Sequence, residues 1–239
     1  MKLAFISDLH LSDKTFENNQ IFYNLMTKWQ SELDALYILG DFFDYWVGDD
    51  DKNVFITEIE ETFKKFTKSA PIYFIHGNHD FGLGQDFAKR TGITLLKDCS
   101  TIKVANNTIL LSHGDVFCTL DISYQKFKRI IRNPLIMAIL RKTPLKWRYK
   151  LKNSLEHESS KQFNKNPPET YLVVDDTIVA IANKLAANIV IHGHTHKPNR
   201  YVIEDNGKTI TRFEIPDWAD RNPGGYVLIE DEKIQIHLP

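Results

Sequence analysis

Five short apolar segments of this 239-residue chain each end in side chains that could bind a metal ion. Each segment has the length and the polar borders of a buried β-strand. Ligands of open α/β sheets bind just beyond the carboxyl ends of the strands, so these side chains are predicted to meet at one edge of the fold. They are Asp8, His10, Asp41, Asn78, His113, His194 and His196.

The order of the predicted elements in the first half favours a parallel sheet. Apolar residues at helical spacing predict helices over 17–32 and 54–68, and strands are predicted at 36–39 and 71–75. A β-α-β-α-β order is typical of an α/β core with right-handed crossovers. Further predicted elements are a short helix at 85–90 and strands at 94–96, 101–104 and 108–111.

The second half departs from this order. Residues 114–166 are basic and have helical spacing, and Pro134 and Pro144 interrupt them, so we predict two or three helices that form an inserted cap. A core helix over 169–186 and a strand at 188–191 are predicted to follow. The last predicted strands, at 201–204, 209–215, 226–230 and 233–237, are expected to form an antiparallel sheet that completes the fold.

The predicted cap holds much of the positive charge of the chain. Residues 119–165 contain 12 lysines and arginines and three acidic residues, a net charge of +9 in a chain whose total is −1. Such a basic block indicates an anionic partner. The apolar run 134–140 inside it is compatible with a buried helix that has a solvated basic face, or with a surface that meets acyl chains and anionic headgroups. As a partner, the apolar run favours lipid over nucleic acid, whose groove would interleave aromatic side chains with the charges. Trp147 and Tyr149 leave nucleic acid as the rival partner.

Composition and the first residues predict the compartment. No apolar run approaches the roughly 18–20 residues of a membrane span. A strand is predicted directly after Met1, which leaves no room for a signal peptide. Cys99 and Cys118 show no C-x-x-C spacing and are predicted to be free thiols in a reducing compartment. We therefore expect a cytosolic protein.

The candidate ligands are nitrogen and oxygen donors without a thiolate. Such a set suits Mn²⁺, Fe²⁺, Zn²⁺ or Mg²⁺, and the mixture of imidazole and oxygen donors favours Mn²⁺. Seven side chains are too many for one ion that keeps open positions, but with a bridging carboxylate they suit two ions roughly 3.5–4 Å apart. Two ions at that spacing can bind a phosphoryl oxygen and activate water, which is the chemistry of phosphoester hydrolysis.

The residues around these ligands resemble the five sequence blocks of the calcineurin-like metallophosphoesterases. The blocks are Asp8-x-His10, Gly40-Asp41-x-x-Asp44, Gly77-Asn78-His79-Asp80, His113-Gly114-Asp115 and Gly193-His194-Thr195-His196. The resemblance implies an α/β (α+β) fold, a four-layer αββα sandwich. We expect its core at 1–116 and 168–239, and a basic helical cap at 117–167. It also implies that Asp41 bridges two metal ions. One ion would be held by Asp8, His10, Asp41 and His196, and the other by Asp41, Asn78, His113 and His194.

Longer stretches, at 40–49, 113–125 and 192–198, are similar to the UDP-2,3-diacylglucosamine diphosphatase branch of that family, which acts in lipid A biosynthesis. The resemblance implies hydrolysis of the pyrophosphate bond to UMP and 2,3-diacylglucosamine 1-phosphate (lipid X), by attack of metal-activated water on the α-phosphorus. It implies two Mn²⁺ as cofactors, with Mg²⁺, Fe²⁺ or Zn²⁺ as alternatives. It also implies a lipid-linked UDP-sugar substrate and a peripheral position on the cytoplasmic face of the bacterial inner membrane. No nucleic acid and no obligate protein partner are expected.

The same resemblance implies roles for individual side chains. The catalytic residues would be Asp41, Asn78 and His79. Substrate contacts would be Asn78, His79, Asp121, Ser154, Glu158, Lys161 and His194. Two positions depart from the pattern: many members have arginine in place of His79, and an amide or small polar residue is usual in place of Glu158. These departures concern the choice of substrate more than the chemistry. The alternatives are a dinuclear phosphoesterase for soluble nucleotides or phosphodiesters, and a non-enzymatic scaffold, against which the intact ligand set argues.

Overall fold

The computed structural model describes residues 1–218 and 223–239, without the side chains of residues 159–160 and 162–164. Within these ranges the strands are β1 (Lys2–Ile6), β2 (Ala35–Leu39), β3 (Ile72–Ile75), β4 (Thr94–Leu95), β5 (Ser100–Val104), β6 (Asn107–Leu111), β7 (Ile189–His192), β8 (Asn199–Asp205), β9 (Lys208–Glu214), β10 (Tyr226–Glu230) and β11 (Lys233–His237). They form two sheets, with the orders β11-β10-β1-β2-β3-β4 and β5-β6-β7-β9-β8.

Seven α-helices occur in the described ranges, and four of them cover the outer faces of the two sheets. The seven helices are α1 (Phe16–Trp29), α2 (Val54–Phe66), α3 (Gln85–Thr91), α4 (Ile122–Ile131), α5 (Pro134–Lys142), α6 (Leu145–Lys165) and α7 (Asp175–Lys184). Of these, α1, α2 and α3 pack on the first sheet, and α7 packs on the second.

The alternation of side chains along the central strands produces four layers. In β1, Ala4 and Ile6 point into the core beneath the helices, whereas Leu3 and Phe5 point into the core between the sheets. This alternation is the period of two that a strand buried on both faces requires. A third core, which includes Leu110, lies between the second sheet and α7. The predicted αββα sandwich is therefore confirmed.

The prediction that the last four strands form one antiparallel sheet is wrong. They form two hairpins that join different sheets: β8 and β9 extend the second sheet, where β9 runs parallel to β7. The hairpin of β10 and β11 extends the first sheet, where β10 runs antiparallel to β1. Alternating apolar residues indicate which face of a strand is buried, but they do not specify the neighbouring strand.

The helix predicted over 169–186 is shorter than expected. A turn of 3₁₀-helix at Pro168–Tyr171 precedes it, and α7 begins only at Asp175. The segment between them is extended at Leu172 and Val174, because the Val174 N–H donates to the carbonyl of Phe117 over 3.0 Å. This tertiary hydrogen bond overrides the helical spacing of the sequence.

The chain between β6 and β7 contains the helices α4, α5 and α6. Asn133 caps α5, since its side chain accepts a hydrogen bond from the Leu135 N–H at 2.9 Å, and Pro134 occupies the first turn. None of the side chains of α5 is fully buried. Leu135 and Ile139 are 75% and 64% exposed, so this helix presents apolar surface to its surroundings.

Two predictions from composition agree with the structure. Cys99 and Cys118 are both free thiols. In the part of the chain that the structure describes, no helix combines the length and the apolar character needed to cross a membrane.

The aromatic core beneath the helices should dominate stability. Phe63 of α2 is fully buried, with its ring centroid 5.3 Å from that of Phe42 and 6.1 Å from that of Phe22. We expect Phe63→Ala to lower the free energy of unfolding by about 3–5 kcal/mol in urea titrations, because a buried cavity replaces the ring. The matched control is Phe16→Ala, whose ring is 75% exposed and whose loss should change stability by less than about 0.5 kcal/mol.

Candidate metal centre

The loops that follow the parallel strands of both sheets meet at one edge of the sandwich. The Asp8 N–H donates to the carbonyl of Gly40 over 3.1 Å, which joins the loops after β1 and β2. In the second sheet, the Gly193 N–H donates to the carbonyl of His113 over 2.8 Å, which joins the loops after β6 and β7. The His194 N–H donates to Asp8 Oδ2 over 2.8 Å and so connects the two sheets.

The backbone of this cluster is strained. Five of the seven predicted ligands have a positive φ, between 48° and 78°. They are Asp8, His10, Asp41, His194 and His196. Left-handed backbone is rare for residues with a side chain and costs about 1–3 kcal/mol each, so such residues concentrate at functional sites.

Two glycines allow the loops to approach each other. A Cβ at Gly77 would lie 2.0 Å from Asp41 Oδ1, and a Cβ at Gly193 would lie 2.1 Å from Asp8 Oδ2. Both distances are far shorter than any real contact of a Cβ. The glycine that precedes Asn78 and the glycine that precedes His194 are therefore required by the packing of the two carboxylates.

The carboxylate of Asp41 lies at the centre of the cluster. Its Oδ2 is 3.6 Å from His113 Nε2, 3.9 Å from His10 Nε2 and 3.9 Å from His79 Nε2. Asp41 also forms, with His113 and His194, a group whose ligand atoms all lie within 4.8 Å of one another. A second such group consists of His10, Asp41 and His79, so Asp41 belongs to two groups of possible ligands. Its role as a bridging ligand stays a prediction.

A further group of three possible ligands surrounds Asp8. The ligand atoms of Asp8, His10 and His196 lie within 4.8 Å of one another. Asp8 Oδ1 is buried and has no hydrogen-bond partner among the described residues, and His196 Nε2 is 3.5 Å away. Since buried carboxylate oxygens are normally paired, this oxygen fits a site for a cation.

Asn78 and His113 complete the cluster. Asn78 Oδ1 is 3.0 Å from His113 Nε2. The other ring nitrogen of His113, Nδ1, lies 2.9 Å from the carbonyl of Leu39, an arrangement in which Nδ1–H donates and Nε2 is available to a metal. The structure thus brings all seven predicted ligands together.

His79, predicted to be catalytic, lies at the edge of this cluster. Its N–H donates to Asp41 Oδ1 over 2.8 Å, and its Nδ1 is 2.5 Å from the carbonyl of Asp44. Burial lowers the pKa of His79, but the charge of Asp41 and the hydrogen bond to Asp44 raise it by more, so the net pKa is above its ordinary value. His79 is thus suited to donate a hydrogen bond or a proton from Nε2.

The buried charges of the cluster compensate one another. Burial favours a raised pKa for Asp8 and for Asp41, but nearby histidines hold both carboxyl groups below their usual range. Burial would lower the pKa of His113 and of His196, yet the carboxylates raise each to about 9. Burial and the neighbouring His113 lower the pKa of His194 to about 4.

Two further aspartates support the site, and sequence reasoning assigned them no role. Asp80 accepts hydrogen bonds from the N–H groups of Gly77 and Phe42, at 2.7 and 2.9 Å, and so holds two of the ligand loops. Burial and the charge of Asp41 raise its pKa to about 7. In the sequence, the role of Asp80 was indicated only by its position directly after Asn78 and His79.

Asp115 connects the same site to the inserted helices. It is fully buried, its Oδ1 is 2.9 Å from Lys128 Nζ, and it accepts a hydrogen bond from the hydroxyl of Tyr124. Arg132 lies 3.5 Å from Asp115 and donates to the carbonyl of Gly77 over 2.9 Å. In the sequence, the supporting role of Asp115 was indicated only by its position in the block His113-Gly114-Asp115.

The predicted substrate contacts of the inserted helices lie at two places. Asp121 caps α4, where its carboxylate accepts hydrogen bonds from the Tyr124 N–H and the Ser123 hydroxyl. The other three are exposed on α6, where Lys161 Nζ is 3.0 Å from Glu158 Oε1. They are Ser154, Glu158 and Lys161. Their roles toward a substrate stay predictions.

A cavity of about 280 Å³ lies between α6 and the loops after β1 and β2. Polar and charged side chains form much of its lining, among them Asp13, Asp44 and Lys152. The ring of Tyr45, also in the lining, has its centroid 6.2 Å from that of His79, and Lys152 Nζ lies 5.6 Å from the centre of the Tyr45 ring. The cavity therefore begins one side chain away from the metal cluster.

Comparisons with known proteins cover nearly the whole chain. The family model of the calcineurin-like phosphoesterases matches residues 1–198. UDP-2,3-diacylglucosamine hydrolase of Chromobacterium violaceum is 38% identical over 238 residues, which cover 98% of each chain. The protein of the same name from Ectopseudomonas mendocina is 38% identical over 217 residues, 90% of each chain. That from Vibrio parahaemolyticus is 36% identical over 219 residues, 91% of this chain and 90% of its own.

The central position of Asp41 leads to a prediction about metal content. Asp41→Ala should abolish the binding of both ions, because its carboxylate faces ligands of both groups. Asn78→Ala should weaken the binding of one ion only. Metal analysis of the purified proteins after dialysis checks this, with circular dichroism as the control for folding. Two ions retained by Asp41→Ala would contradict the bridging assignment.

The raised pKa values predict how metal binding depends on pH. In the metal-free protein His113 and His196, each with a pKa of about 9, carry protons at pH 7, and a cation must displace those protons to bind. Affinity should therefore rise from pH 6 to pH 9, and more than one proton should be released per protein at pH 7. Calorimetry in buffers with different ionisation enthalpies measures this release. An affinity that is constant between pH 6 and pH 8 would contradict it.

Proposed function

The chain belongs to the calcineurin-like phosphoesterase family, and from this membership we propose that it hydrolyses the pyrophosphate bond of UDP-2,3-diacylglucosamine. The products would be UMP and 2,3-diacylglucosamine 1-phosphate. One observation carries the proposal: relatives with this activity in their names are 36–38% identical over at least nine tenths of the chain, a span that includes the inserted helices.

The metal set follows from the donors in the cluster. Asp8, His10, Asp41 and His196 would hold one divalent cation, and Asp41, Asn78, His113 and His194 would hold the other. The Oδ1 of Asp8, which is buried and has no hydrogen-bond partner among the described residues, supports this assignment. Mn²⁺ suits the mixture of imidazole and oxygen donors. Such ions, when bound, supply a Lewis acid for the phosphoryl group and acidify water.

The protein groups around the cluster would orient the phosphate. The carbonyl of Asp44 fixes Nδ1 of His79, so Nε2 faces the cluster and can donate to a phosphoryl oxygen as negative charge develops on it. Asp80 holds the N–H groups of Gly77 and Phe42 and thereby fixes the loops that carry Asn78 and Asp41.

The two halves of the substrate differ in polarity, and so do the surfaces beside the cluster. The lining of the 280 Å³ cavity combines aromatic side chains such as Trp46 with charged ones such as Asp44 and Lys152, a mixture that suits the nucleoside. The apolar residues of the inserted helices suit the diacylglucosamine half; among them Leu135, Ile139 and Trp147 are each more than 60% exposed. We therefore propose that residues 117–167 act as a cap that receives the lipid.

The same surface supports contact with a membrane. The basic side chains of the cap adjoin its exposed apolar residues, a combination that binds anionic lipid surfaces. We propose a peripheral position on the cytoplasmic face of the bacterial inner membrane, where a lipid-linked substrate is found. Binding to vesicles that contain anionic lipid, compared with neutral vesicles, tests this position.

One assay tests the proposed activity. The purified Mn²⁺-loaded protein is offered UDP-2,3-diacylglucosamine, a water-soluble UDP-sugar without acyl chains, and a generic phosphodiester. We expect the lipid substrate to be hydrolysed with a kcat/KM at least 100-fold above the other two (~2.8 kcal/mol at 1.4 kcal/mol per factor of ten). Similar rates on all three would instead support a phosphoesterase for soluble substrates.

The exposed apolar residues of α5 should determine the preference for lipid. Each acyl CH₂ that leaves water contributes about 0.8 kcal/mol, so a few methylenes outweigh an exposed ion pair of about 0.2–1 kcal/mol. Leu135→Asp combined with Ile139→Asp should reduce kcat/KM for the lipid substrate more than 10-fold and leave hydrolysis of a soluble phosphodiester unchanged. The control is Phe16→Asp, another exposed apolar position. Equal losses on both substrates would contradict the role of the cap in lipid binding.

A further inference from the structure

A buried glutamate supports the turn that carries His194 and His196. Glu214 is the last residue of β9, is 1% exposed, and lies beside His192 in the parallel pair of β7 and β9. Its Oε1 accepts hydrogen bonds from the Thr195 hydroxyl and from the Lys197 N–H, the latter at 2.8 Å. Glu214 therefore holds the residues on both sides of His196.

The carboxylate of Glu214 is itself fixed by its surroundings. Its Oε2 is 3.8 Å from Nη1 of Arg212, a side chain that is 5% exposed. The guanidinium of Arg212 lies 3.8 Å from the centre of the Tyr201 ring, and its Nη1 is 3.4 Å from His192 Nε2. A buried carboxylate with a charged neighbour and two hydrogen-bond donors has little freedom to reorient.

The turn needs such support because it is strained. His194 and His196 have φ values of 78° and 55°. A left-handed residue with a side chain costs about 1–3 kcal/mol and persists only where its surroundings hold it in place. Asp8 holds the N–H of His194, and Glu214 holds the two neighbours of His196. If the turn relaxed, both imidazoles would move from their places in the cluster.

We propose that Glu214, through its hydrogen bond with Thr195, is a positioning residue for both metal ions. The inference rests on the proposed metal set, in which His194 binds one ion and His196 the other. A residue that merely stabilised the strand would affect folding alone. Loss of the Glu214 carboxylate should instead lower the metal affinity of both sites in a protein that still folds.

A pair of substitutions at position 195 provides the sharpest test. Thr195→Val keeps the shape of the side chain and removes the hydroxyl that Glu214 accepts, whereas Thr195→Ser retains the hydroxyl. Mn²⁺ affinity is measured by calorimetry on the metal-depleted full chain, without substrate. We expect Thr195→Val to lower the Mn²⁺ affinity of both sites about 10–100-fold. The Thr195→Ser protein should bind both ions with the affinities of the unaltered protein.

Variants of the glutamate complete the test. Glu214→Ala should lower both affinities at least as much as Thr195→Val, because it also removes the acceptor of the Lys197 N–H. Adding Thr195→Val to Glu214→Ala should have no further effect, since the Thr195 hydroxyl is proposed to act through Glu214 alone. Glu204→Ala is the control, because Glu204 faces Thr209 across the same hairpin, at 3.1 Å, and should leave metal affinity unchanged.

The outcomes separate this inference from the proposed function. A folded Thr195→Val protein that binds both ions with unaltered affinity would overturn the positioning role, even if its melting temperature fell. This variant also decides the question if Glu214→Ala fails to fold. An unaltered protein that binds two ions but does not hydrolyse the lipid substrate would overturn the proposed function and leave the role of Glu214 intact.

Discussion

The burial of two carboxylates where the loops of both sheets meet is the constraint on which the rest of the site depends. Asp8 and Asp41 are almost inaccessible to water, and a buried charge without compensation is unstable. The histidines of the cluster provide that compensation in the metal-free protein, and two of those that face Asp8, namely His10 and His196, have a left-handed backbone. Gly77 and Gly193 are required for the same reason, since any side chain there would strike a carboxylate.

The positive charge of the inserted helices has two uses that the sequence alone cannot separate. Some basic residues fasten these helices to the core: Lys128 pairs with Asp115 and Asp98, and Arg148, which is 6% exposed, pairs with Asp50. Basic side chains paired in this way are engaged in structure and contribute little to the attraction of a distant anion. The charge available to a partner is therefore smaller than the net +9 of the segment suggests.

The sequence was sufficient for the parallel half of the fold and for the meeting of the candidate ligand side chains at one edge of it, whereas their binding of metal stays a prediction. Each of its apolar segments has the length of a strand, and each is followed by a side chain whose chemistry identifies the edge where the strands end. The final hairpins were not predictable, because alternation along β8 to β11 is compatible with either sheet. The contribution of Glu214 was hidden as well, since it lies 19 residues from Thr195 in the sequence and becomes its neighbour only when β9 pairs with β7.

The hydrogen bond from Arg132 to the carbonyl of Gly77 links two parts of the molecule that have different tasks. Arg132 ends the first helix of the proposed cap, and Gly77 directly precedes the predicted ligand Asn78. A helix that moves aside to admit a long lipid must either break this bond or pull on the loop that carries the ligand. If the proposed cap moves in this way, substrate entry and the geometry of the candidate metal centre are mechanically coupled, and a loosely fitting lipid would disturb the groups that are proposed to act on it.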